Sequence, residues 1–161
     1  MASAINITSG NQAILTFGTT AAMAAPGGTD GIFIPLVQDV TISAAPGTVR
    51  YSTLDSSSSA AFTTVNENEV SFNMLVDEDT FFGNASLTQN TVAELGLLTT
   101  SINKTEVFFS IAFEGNTTGD YYLHGKGFIG GLAPTASIDA AVWLSPGSVI
   151  VNGEIGKLNV S

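Results

Sequence analysis

Cysteine is absent from this 161-residue chain, which excludes disulfide frameworks, thiolate metal sites, iron–sulfur clusters and cysteine nucleophiles together. Basic residues are nearly as scarce. Arg50, Lys104, Lys126 and Lys157 stand against 14 acidic residues, for a formal net charge of −10 and a pI near 4.1. Four scattered cations form no stripe able to neutralise a run of phosphates, which argues against gripping DNA, and an anionic membrane surface would repel the chain. Long apolar runs are missing too: Ala21 to Ala25 is far too short to span a bilayer. No positive region followed by an apolar stretch opens the chain, so no secretory signal is expected there.

What is present points to one packed domain over residues 1–161. Apolar residues make up 44% and charged residues 11%, a balance unlike that of a disordered acidic tail. A chain of this length buries roughly two thirds of its unfolded surface. Alternation dominates the pattern. Val70, Phe72 and Met74 point one way while Glu69, Ser71 and Asn73 point the other; Val107, Phe109, Ile111 and Phe113 alternate with Glu106, Ser110 and Ala112. Ile138, Ala140, Val142 and Leu144 alternate with Ser137, Asp139 and Ala141, with Trp143 breaking the polar set. Side chains alternate across a strand, so each segment reads as a strand with one buried face. Further strands are expected at 2–8, 13–17, 31–36, 37–43, 48–54, 120–129 and 149–155. Pro46-Gly47 and Pro146-Gly147 fit type II turns between them. The fold class that follows is mainly β: an antiparallel sandwich or barrel with one short flanking helix.

That helix is expected at Thr91–Leu98, where Thr91 and Glu94 have capping-box spacing and Gly96 limits its length. Two stretches read as loops. Gly18–Asp30 is a run of Thr, Ala, Gly and Pro within an N-terminal arm spanning 1–30. Residues 53–68 hold Ser56-Ser57-Ser58-Ser59 followed by Phe62, which reads as a hydrophobic anchor on a polar loop. Loops this long in a compact domain usually serve a function or are disordered.

No catalytic constellation stands out, and no cofactor or metal site is expected. His124 is the single histidine, so a zinc site would need carboxylates for its other ligands. Asp77-Glu78-Asp79 lacks the EF-hand spacing and reads as a solvated turn. Gly125-Lys126-Gly127 opens no helix and lacks the third glycine of a dinucleotide fingerprint. A structural or binding protein is left, with exposed sheet edges that another copy of the chain would cover.

The C-terminal half resembles a known family. Gly125-Lys126-Gly127-Phe128-Ile129-Gly130-Gly131-Leu132, then Ser137-Ile138-Asp139-Ala140-Ala141-Val142, then Val149-Ile150-Val151-Asn152-Gly153 are similar to the closing strands of bacteriophage tail tube proteins, the major tail proteins of long-tailed phages. Upstream, Val70–Asp77, the Thr91–Leu98 helix and Thr105–Phe113 match that family's element order, so the resemblance covers roughly residues 35–155. It implies a virion protein made in the host cytoplasm: six copies closing into a ring, and rings stacking into a tube that conducts DNA on ejection. The other implied partners are the tail's terminator, distal tail and tape measure proteins. The 53–68 loop would touch the adjacent ring through Phe62, Ser57 and Ser58, with Trp143 at a subunit interface.

This reading explains the acidity, because a wall of carboxylates and hydroxyls repels phosphates where lysines would bind them. Glu69, Ser71, Asn73, Glu106 and Ser110 are the expected lumen-lining residues, on the premise that the polar sheet face is the inner one. Two other readings compete: a trimeric capsid decoration protein, and a secreted carbohydrate-binding β-sandwich, which the single tryptophan disfavours.

Overall fold

The computed structural model describes residues 13–26, 31–34, 37–52, 59–84, 92–113, 117–139 and 142–161. The chain runs through β1 (Ile14–Gly18), α1 (Ala21–Ala24), β2 (Ile32–Phe33), β3 (Val37–Tyr51) and β4 (Ala60–Leu75). It continues through α2 (Glu78–Phe82), α3 (Val92–Ile102), β5 (Glu106–Ala112), β6 (Tyr121–Gly130), β7 (Leu144–Val151) and β8 (Gly156–Asn159). One eight-stranded sheet holds the strands in the order β2-β1-β5-β6-β7-β4-β3, with β8 added beside β6. Every pairing is antiparallel, and the sheet curls into a half-barrel.

The alternation read from the sequence sets the core. Leu15, Phe17, Val70, Phe72, Met74, Val107, Phe109, Ile111, Ile129 and Val149 all point to one face and are buried with Phe81 and Leu97 of the helices. Phe17 and Phe72 meet with ring centroids 5.9 Å apart, tying the two ends of the curled sheet together. Burying a side chain of this size contributes about 1.5–3 kcal/mol, enough to hold a domain without covalent staples.

Several expectations are corrected. Of the expected 53–68 loop, residues 53–58 lie outside the described residues and 60–68 belong to β4, which pairs with β3 from Val37↔Met74 to Tyr51↔Ala60. Both expected Pro-Gly turns lie inside strands. Pro46 sits at a register shift on β3, which has no second neighbour in the sheet among the described residues, so its missing N–H is tolerated. Gly147 is the register partner of Phe72, and a Cβ there would stand 2.5 Å from the ring. Of the expected strand over Ser137–Leu144, residues 140 and 141 lie outside the described residues and, among the rest, only Leu144 is in a strand: the chain turns at Ile138-Asp139, where the Ser137 hydroxyl accepts the Asp139 N–H, and Ile138 is fully exposed.

Helices α1 and α2 join the expected α3. Asp77-Glu78-Asp79 is a helix start: the Asp77 carboxylate accepts the Thr80 N–H (3.1 Å) and hydroxyl (2.9 Å), while Glu78 and Asp79 occupy the first turn. Gly96 breaks α3 with φ 76°, and Gly83, at the end of α2, has φ 95°. The two glycines cross backbone to backbone: a Cβ on Gly96 would lie 2.4 Å from the Gly83 nitrogen. Gly96→Ala therefore combines a disfavoured φ with a clash against main chain, and is expected to destabilise by roughly 2–3 kcal/mol, lowering Tm by about 4–12 °C. Gly153→Ala, with positive φ but open space around the new Cβ, is the control and is expected to cost only about 1–2 kcal/mol. Equal melting temperatures for the two variants would overturn the crossing as the cause.

Candidate functional site

Register partners share a face, so the ladder maps the side of the sheet opposite the core. Glu106 of β5 pairs with Phe128 of β6, Phe128 with Ile150 of β7, Ile150 with Glu69 of β4, and Glu69 with Ser43 of β3. The next row runs Gly130, Ser148, Ser71 and Thr41, and a third holds Pro146, Asn73 and Asp39. Nothing among the described residues covers the middle of this face: Glu69, Ser71, Asn73, Asp39, Thr41, Ser43, Phe128 and Ile150 are all exposed. Hydroxyls, amides and carboxylates dominate it, with Phe128 and Ile150 as apolar interruptions.

Of the residues expected on a polar lining, Glu69, Ser71, Asn73 and Glu106 stand together on this open face. Ser110 shares their side of the sheet but is buried: α1, in a stretch read as a loop, lies over it, and the Ser110 hydroxyl donates to the Ala24 carbonyl. Asp39 and Glu67 were missed. Asp39 carries a sequence signal, since Asp39, Thr41 and Ser43 alternate with Val40 and Ile42; its carboxylate accepts both contacts from the Asn73 amide, at 2.9 and 3.0 Å. Glu67, register partner of Ala45, was hidden in the segment taken for a loop.

Glu106 is not a free carboxylate. Lys126, diagonal to it across β5 and β6, places its ammonium 3.3 Å from one carboxylate oxygen, and the Asn152 amide donates to the other. The Asn152 hydrogen bond foremost holds the Glu106 carboxyl below the usual glutamate range; burial opposes it, and the hydrogen bond and charge of Lys126 add to it.

Beyond Glu69, the register partner of Ile150, β4 loses β7 as a neighbour and continues with β3 alone as a two-stranded ribbon. A register shift between Pro46 and Thr48 marks its root, where an open hollow of about 600 Å³ is lined by Ser43, Ala45, Glu67, Glu69 and Ile150 among others. Past the shift, Val49 pairs with Phe62, and Tyr51 stacks on Phe62 with centroids 5.0 Å apart and planes 16° from parallel. All three stay exposed, Phe62 at 60%. Ser57 and Ser58 lie outside the described residues. Trp143 is half exposed, and its carbonyl accepts the Val76 N–H.

Among the described residues no helix is long and apolar enough to cross a membrane, and no group of three or more acidic or histidine side chains is disposed to hold a metal. His124 stands opposite Ser110 on β6, half-buried beside α1.

No family model matches the chain, and no curated protein does. Solved structures do. A chain of the native gene transfer agent virion superposes with a TM-score of 0.60 at 11% identity, over 94% of this chain and 99% of its own length. A chain from the tail of an empty gene transfer agent particle, refined with C6 symmetry, gives 0.54 at 11% identity over 88% and 93%. A chain from the sheath/tube terminator of an extracellular contractile injection system in its extended state gives 0.54 at 11% over 98% of both chains. The fold is thus the one found in chains of these particles and assemblies, in agreement with the tail-tube resemblance read from the sequence.

Asn152→Ala removes the main hydrogen bond lowering the Glu106 pKa. Carboxyl-carbon NMR against pH is expected to show the Glu106 midpoint rising toward the ordinary glutamate value. A lowered folded pKa stabilises above the unfolded value and the gain is lost as pH falls through the folded one, so any effect of Asn152→Ala on stability belongs above about pH 5 and fades as the pH is lowered. An unmoved midpoint would show that Lys126 alone sets it.

Proposed function

We propose that this chain is the repeating subunit of a phage-type tail tube: six copies close into a ring, rings stack, and the open face of the sheet becomes the lumen through which DNA passes without binding. The observation that carries this reading is the division of the sheet. Among the described residues one face is an apolar core, the other is bare and carboxylate-bearing, and β3 ends the sheet as a 15-residue strand without an outer neighbour. A monomer has no use for a long unpaired edge, which is normally covered or paired; a ring supplies the missing strand from the next copy. The C6 symmetry of one structure with this fold supports sixfold closure.

The ribbon gives stacking a physical basis. Tyr51, Phe62 and Val49 present an apolar surface well away from their own core, and burying Phe62 against an adjacent subunit contributes on the order of 1.5–3 kcal/mol per contact. Trp143 and the exposed residues 133–139, 142 and 144 provide a second surface for neighbours or other tail proteins. The role is structural and non-enzymatic, and the site of action is the virion.

Negative-stain microscopy of the purified protein at rising concentration is expected to show sixfold rings and then tubes. Discrete rings that never stack would mark a tail terminator instead, and compact trimers a capsid decoration protein. Phe62→Asp is expected to abolish stacking while leaving Tm within about 1–2 °C, because an exposed side chain contributes little to the fold. Tubes of normal length from this variant would remove Phe62 from the contact.

A further inference from the structure

Lys126 is the one basic residue at a strand position on the open face. Arg50 alternates with the exposed Val49 and Tyr51 on the ribbon and so points to the other side, and Lys157, paired with Leu123, lies on the opposite side, over the Tyr121 ring at 4.4 Å. Lys104 sits in the turn after α3. The same face carries Asp39, Glu67, Glu69 and Glu106, and of these only Glu106 reaches an ammonium. Its carboxylate is gripped from both sides, by Lys126 at 3.3 Å and by the Asn152 amide.

We propose that Glu106 is a built-in counterion that masks Lys126 from passing nucleic acid, with Asn152 as the residue that positions it. The inference rests on the lumen assignment proposed above. An isolated ammonium on a channel wall binds phosphate and releases counterions; repeated six times per ring along a tube, it would form a ladder of sticky points. A carboxylate within one ion-pair distance cancels that field well inside the roughly 8 Å over which salt would otherwise screen it. Lys126 is half exposed, so its stem remains at the surface while its charge is neutralised in place. An exposed pair of this kind adds little to stability, which assigns its value to the surface it creates.

The test is DNA release from particles assembled with variant subunits, at low and high salt. Glu106→Gln keeps an oxygen for Asn152 but removes the charge; it is expected to slow release at least several-fold at low salt, with recovery as salt rises. Adding Lys126→Ala is expected to restore wild-type release at low salt. Asn152→Ala, which leaves both charges but loosens the grip, is expected to slow release less, and it carries the test should Glu106→Gln fail to assemble. Glu69→Lys, an added cation elsewhere on the face, reports on the lumen assignment itself. Slow release for Glu69→Lys with wild-type release for Glu106→Gln would overturn the masking role and keep the lumen. Wild-type release for both would overturn the lumen assignment and the masking role with it.

Discussion

The structure depends on a sheet whose two faces have unequal claims on water. Period-two alternation sends Val70, Phe72, Met74, Val107, Phe109 and Ile111 to one side, where Phe81 and Leu97 close over them. The same alternation leaves carboxylates and hydroxyls on the other side, where nothing among the described residues covers the middle of the face. A one-residue slip in register would exchange the faces completely. The Phe17–Phe72 contact and the fit of Phe72 over Gly147 oppose such a slip by fixing three strands against one another.

This division also determines what each charged group is worth. On the core side an unpaired charge would be prohibitive. On the open side carboxylates are cheap individually and collectively set the sign of the surface. Asp39 is held by the Asn73 amide and Glu106 by Asn152 and Lys126. Fixing such groups by cross-strand hydrogen bonds places their charge at defined heights on the sheet.

How much of this was legible in the sequence follows from where the burial lies. β4 from Glu69 onward and β5 were readable because one face of each is fully buried, so selection for apolar residues marks every second position. The β3 half of the ribbon falls in the strand expected at 48–54, but the β4 half was misread as a loop because Ala60–Thr64 is exposed throughout; strands that bury nothing leave no alternation and look like the Ser- and Thr-rich segment they continue. The opposite error occurred at Ser137–Asp139, where alternation was read but the chain turns, because pairing requires a neighbour and sheet neighbours are set by contacts far apart in the chain. Ser110 was assigned correctly to the polar side and wrongly to the surface, since only the short α1 decides whether that end of the face is wet. The Asp77 cap was visible as an acidic cluster, but its meaning depended on Thr80 three residues on.

The two register shifts in β3, at Val37/Asp39 and at Pro46/Thr48, bracket its free margin. Irregularities of this kind increase local twist, and a flat foreign strand cannot follow a twisted margin for long. The margin is therefore selective: a copy with matching curvature can zip along it, whereas the indiscriminate strand stacking that leads to amyloid fibres meets a proline at one end and a bend at the other.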